Sequence, residues 1–161
     1  MTFINAVFIT VSTYGTWLHG DERGSVNRKG LTFRAHFVAP NPKLERMKRS
    51  QMDQAPMIFD AAKRVCVHNA VESFCEFKQW RLLALHVRTN HMHALILGEA
   101  SSQRMVQGIK AAATRALREA KLIDATRKVW TEGASVTTCE TDNDIAAVRD
   151  YIKNRQGDPL L

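Results

Sequence analysis

The sequence lacks the devices that hold secreted and metal-knotted domains together. Its three cysteines, Cys66, Cys75 and Cys139, form no CxxC pair and cannot all pair with one another. Neither a disulfide framework nor a cysteine zinc site is therefore expected, and a reducing compartment fits. No stretch approaches the ~18 uninterrupted apolar residues that a membrane span requires, so no membrane partner is expected. The opening segment, MTFINAVFITVSTYG, is apolar in its middle but has no basic leader before it and no small-residue cleavage pattern after it. It reads as a strand, and the expected location is cytoplasmic. Tyrosine is scarce: Tyr14 and Tyr151 are the only two. Internal repeats and low-complexity tracts are also missing.

Acidic residues are in the minority, 16 against 23 basic ones, giving a net charge of +7. A basic face attracts phosphate backbones and releases their counterions on contact, so a polyanionic partner suits this balance; solubility alone accounts for it equally well. The length of 161 residues fits one domain, 1–161, long enough to bury a core without staples. With 45% hydrophobic and 24% charged residues the composition is globular.

INAVFITVS, residues 4–12, is β-branched and aromatic, which predicts a strand. From Tyr14 to Gln54 a long connection with Pro40 and Pro42 follows; connections of this length serve a function or carry small elements of their own. Pro56 predicts a helix start, and Phe59, Ala62, Cys66, Ala70 and Phe74 recur at spacings of three and four, predicting a helix from about Met57 to Phe77. WRLLALHVR and HMHALIL are strand-length apolar runs separated by Thr89 and Asn90, a hairpin. Ser101 or Ser102 caps a helix lined by Val106, Ile109, Ala113, Leu117 and Ala120. Its charges, Lys110 among them, read either as a solvated face or as phosphate contacts. KVWTEGASVTTCE then supplies one or two short strands broken at Gly133. TDND caps a last helix, IAAVRDYIKNRQ, which Gly157 and Pro159 close. The order predicts an α+β domain: a ferredoxin-like antiparallel sheet with helices on one face, plus a C-terminal helix that carries Tyr151.

Within that order, NHMHALI sets His91 and His93 on one face of a strand, with Cα atoms about 6.6 Å apart. Two neutral imidazoles so placed can converge on one cation; they can also be hydrogen-bonded histidines beside a turn. On the last helix Ile145, Val148 and Ile152 form the buried stripe and Tyr151 stands at its edge, where its ring can anchor while its hydroxyl reaches a cleft.

The combination resembles the HUH single-tyrosine transposases of small bacterial insertion sequences and their relatives associated with repetitive extragenic palindromes. His91, Met92 and His93 match the His-apolar-His motif, DYIKNRQ matches the late Tyr-Ile helix, Val129, Trp130 and Gly133 fall where such proteins have the strand before that helix, and VFITVSTYGTWLHGDERG is similar to the opening strand and loop of one branch. The resemblance implies a transposase acting on single-stranded DNA, often at hairpin ends, as a homodimer. It also implies a divalent cation, Mg²⁺ or Mn²⁺, on His91 and His93, and Tyr151 as the nucleophile that forms a 5′-phosphotyrosine link. Such a cation would neutralise the scissile phosphate, and a phenolic oxygen can serve first as nucleophile and then as leaving group.

The family's third metal ligand is commonly a glutamine four residues beyond the tyrosine, and here that position is Arg155, which has no lone pair to offer. Asn154 and Gln156 are the neighbouring amides; Gln156 is the preferred ligand, and Arg155 becomes a candidate phosphate contact. Lys110 is a further nucleic-acid candidate. In the opening loop Trp17 and His19 are candidates for stacking on or contacting an unpaired base, although Trp17 can equally plug a small core. His86 reads as a strand residue or as a partner of the histidine pair. Two other functions compete: a non-catalytic nucleic-acid-binding domain derived from such a transposase, and a hydrolase that uses water in place of Tyr151.

Overall fold

The computed structural model describes residues 5–18, 25–27 and 36–156. Strand β1 (Asn5–Ser12) runs through the centre of the sheet. Its alternation sends Val7, Ile9 and Val11 into the main core and turns Ala6 and Phe8 to the opposite face. Among the described residues strands β2 (Ser25–Asn27) and β3 (His36–Val38) pair only with each other, and helix α1 (Pro42–Ser50) follows. The long connection therefore carries small elements.

Helix α2 (Ala61–Phe77) begins four residues later than the sequence suggests, capped by the Asp60 side chain. Met57 and Phe59 are buried in an extended segment instead, their amides bonded to the carbonyls of Tyr14 and Thr89. Their two-residue spacing is the period of extended chain, and the cap outweighs Pro56 as a start signal. The buried stripe is accordingly Val67, Val71 and Cys75.

Strands β4 (Arg81–Val87) and β5 (His91–Gly98) form the expected hairpin about Thr89 and Asn90. Helix α3 (Ser102–Glu119) is capped by Ser101 and buries Met105, Val106, Ile109, Ala113 and Leu117. After a bridge between Thr13 and Trp130, the chain turns at Gly133 (φ 74°) into strand β6 (Ser135–Cys139). Glu140 and Thr141 alone connect β6 to helix α4 (Asp142–Asn154), where Thr141 and Asp144 form a reciprocal capping box.

The four-stranded sheet is antiparallel with order β4-β5-β1-β6, the ferredoxin-like arrangement that the element order predicts. Helices α2 and α3 cover one face, over the main core. Helix α4 covers the other: Ile152 is fully buried with Ala6, Ala84, Leu95 and Cys139, and Ile145 and Val148 pack beside them. Burying one such isoleucine contributes about 1.5–3 kcal/mol, which fixes where the helix lies. Among the described residues no helix is long and apolar enough to cross a membrane.

Candidate functional site

Because β5 buries Met92 and Ala94 in the main core, His91 and His93 point to the α4 face. Strand register does the rest. His93 stands opposite Thr10 on β1 and His86 on β4, and His91 opposite Ser12. The two imidazoles are edge to face with centroids 4.7 Å apart. His93 Nδ1 lies 2.7 Å from Thr10 Oγ1 and its Nε2 lies 2.9 Å from Gln156 Oε1. His91 Nδ1 is 2.7 Å from Asn90 Oδ1. The Asn90 carbonyl is itself held by the Thr13 amide and by the hydroxyls of Thr13 and Thr16.

Tyr151 belongs to the same cluster. Its ring is 5.7 Å from that of His93 and 6.0 Å, edge-on, from that of Phe8, which also lies 5.6 Å from His93. Burial of the next residue, Ile152, fixes the helix while Tyr151 keeps 40% of its surface exposed. The phenol thus stands at the rim of the imidazole pair within one chain.

Helix α4 ends at Asn154, with Arg155 as its C-cap. Arg155 Nε donates to Asp150 Oδ2 at 3.0 Å and Asn154 Nδ2 donates to Asp150 Oδ1 at 2.8 Å, so both side chains fold back along the helix. Gln156, the first residue past the cap, is the amide that turns to His93.

Burial, then the neighbouring His91, pushes the pKa of His93 down to about 4, against the opposing Gln156 hydrogen bond. His86 is also lowered, chiefly by burial and then by Arg88. Neutral imidazoles are the form that ligates metals. Among the described residues no group of three His, Cys, Asp or Glu side chains is gathered, so a cation here would need the amide oxygen of Gln156 beside the two imidazoles. Two nitrogens and one oxygen leave further positions for water and a phosphate oxygen, which suits a hard divalent ion.

Lys110 is on α3, on the other side of the sheet; its ammonium donates to the carbonyls of Thr131 and Gly133, both at 2.8 Å, and burial lowers its pKa. It lines a groove with Arg115, Arg118, Lys128 and Trp130. Trp17 is exposed, one residue beyond the Thr16 hydroxyl that bonds the Asn90 carbonyl. His19 lies outside the described residues. Thr10, Asn90 and Phe8 escaped the sequence reading. A polar residue at position 10 of an apolar strand was the available signal, and only the register of β1 against β5 gives it meaning.

The profile of the family described as "Transposase IS200 like" matches residues 53–155. A REP-associated tyrosine transposase bound to a REP hairpin shares the fold at 14% identity and a TM-score of 0.50, over 94% of this chain and 67% of that one. A protein from Deinococcus radiodurans, described as a transposase, matches at 13% identity and a TM-score of 0.53, over 96% of this chain and 93% of its own. No curated protein is similar enough in sequence to count as a relative. With the family profile running across more than half of its length, from before α2 to the end of α4, the chain belongs to the IS200-like transposase family.

Proposed function

We propose that this chain cuts and rejoins single-stranded DNA through a 5′-phosphotyrosine intermediate, with Tyr151 as nucleophile and His91, His93 and Gln156 holding a divalent cation, Mg²⁺ or Mn²⁺. The observation that carries the reading is the 5.7 Å separation of the exposed Tyr151 ring from the buried His93 ring. When bound, the cation supplies positive charge against the scissile phosphate and the departing oxygen.

The residues of the chain do the rest. The Tyr151 phenol gives up its proton and its oxygen attacks phosphorus; the bond from phosphorus to the 3′-oxygen breaks, and that oxygen takes a proton to leave a 3′-hydroxyl. In the reverse sense a 3′-hydroxyl attacks the phosphotyrosine and Tyr151 leaves with its proton restored. The phosphodiester energy is conserved throughout, so no nucleotide cofactor is required. Phe8 packs edge-on against the tyrosine ring, and the burial of Ile152 orients it. Trp17 lies on the loop tied to Asn90, beside His91, where an aromatic face can receive an unpaired base. The structural relative with a bound hairpin is the reason to choose a hairpin end as substrate. Two copies acting together would bring two ends into one exchange.

Incubation of the chain with a hairpin-tailed single-stranded oligonucleotide and Mn²⁺, followed by denaturing electrophoresis, tests this. A covalent adduct that Tyr151→Phe abolishes is the expected result. Cleavage surviving that substitution points to water as nucleophile, and gel retardation without cleavage points to a binding domain.

A further inference from the structure

Each imidazole of the pair has its Nδ1 against a side-chain oxygen of a different chemical kind. Asn90 Oδ1, at 2.7 Å from His91 Nδ1, is an amide oxygen and can only accept. His91 must therefore carry its proton on Nδ1, which leaves a lone pair on Nε2. Thr10 Oγ1, at 2.7 Å from His93 Nδ1, is a hydroxyl and can do either. Gln156 Oε1 accepts from His93 Nε2 at 2.9 Å, so in this arrangement the His93 proton is on Nε2 and Thr10 donates to Nδ1.

We infer that Asn90 and Thr10 are positioning residues: Asn90 locks His91 in the tautomer that ligates through Nε2, and Thr10 lets His93 exchange between a hydrogen-bonded and a ligating tautomer. This rests on the cation reading of the preceding section. For His93 to ligate through Nε2, that nitrogen loses its proton to water and Nδ1 takes one from water. The Thr10 hydroxyl then rotates from donor to acceptor with no net proton change, while Gln156 Oε1, which accepts along that Nε2–H, shifts aside to admit the cation. Both positions are anchored independently of the rings: Thr10 by pairing on either side, to His93 on β5 and Ser135 on β6, and Asn90 through its carbonyl. Thr10→Val keeps the β-branched shape on a strand but would leave the Nδ1–H of a ligating His93 facing a methyl group. Partners of this kind govern metal affinity by roughly 10–100-fold.

The test has two readouts. Long-range ¹H–¹⁵N spectra of the imidazoles in metal-free protein report which nitrogen is protonated, and electron paramagnetic resonance of free Mn²⁺ reports affinity. The expected results are His91 protonated on Nδ1, a displaced His93 Nδ1 resonance in Thr10→Val, a loss of about 10–100-fold in its Mn²⁺ affinity, and near-complete rescue by Thr10→Ser. Unchanged His93 resonances with wild-type affinity in Thr10→Val overturn the inference. A wild-type chain that takes up no Mn²⁺ removes the cation reading instead. In that case the resonances decide alone, and His91 protonated on Nε2 overturns the role of Asn90.

Discussion

Acid should destabilise the metal-free chain through His93, by an amount that the burial of its ring sets. His93 is 5% exposed, and its pKa falls from 6.5 to about 4. Above pH 6.5 the ring is mostly neutral in both folded and unfolded chains. Between pH 6.5 and 4 the unfolded chain takes a proton that the folded chain refuses, so stability falls as pH falls across that window and levels off below it. At 1.36 kcal/mol per pKa unit, the full loss is about 3 kcal/mol, of which about 2 kcal/mol has gone by pH 5. His86, also lowered by burial, acts in the same direction. A His93→Gln variant isolates the contribution of His93. Urea unfolding of both proteins in chelator, stepped from pH 7.5 to 4.5, should show the wild type falling more steeply, by about 2 kcal/mol at pH 5. Parallel curves would mean that the folded chain protonates His93 as readily as the unfolded one, and that burial does not hold its pKa down.

Three further outcomes follow from the packing. His91→Ala should abolish the adduct while changing stability by no more than about 0.5 kcal/mol, as judged by urea unfolding, because the ring is only partly buried; a loss of several kcal/mol would make it a core histidine. Ile152→Ala should cost about 2–5 kcal/mol and lower adduct yield as well, since the same side chain seats the helix of Tyr151; full stability would show that α4 is held by other means. Gly108→Ala would set a Cβ 2.6 and 2.7 Å from the Phe74 ring, and calorimetry should register a loss of about 1–3 kcal/mol; an unchanged Tm would mean that the α2–α3 contact has slack.

Periodicity carried most of the fold. The apolar spacing of α3, the alternation of β1 and the Thr89–Asn90 turn each follow from local chemistry, and together they dictate the sheet order. The start of α2 did not, because Pro56 signals a helix while the alternation of Met57 and Phe59 is completed by bonds to Tyr14 and Thr89, residues far away in sequence. The two three-residue strands are too short to leave a periodic trace. At the site, His91 and His93 announce themselves by spacing, and Tyr151 by its rarity and its place at the edge of a buried stripe. Thr10 depends on which residues face which across paired strands and Asn90 on how its side chain turns within the hairpin, so neither could be read from local pattern; Gln156 is one of two amides beside Arg155 in the sequence, and the place where the helix stops separates it from Asn154.

The two-residue tether between β6 and α4 allows about 11 Å at most from Cys139 to Asp142, which seats the tyrosine helix over its own sheet. Phenol and imidazoles then come from a single polypeptide, so that on the proposed chemistry one folded chain holds both. Mixing His91→Ala chains with Tyr151→Phe chains should then restore no adduct; restored adduct would show that copies share the helix.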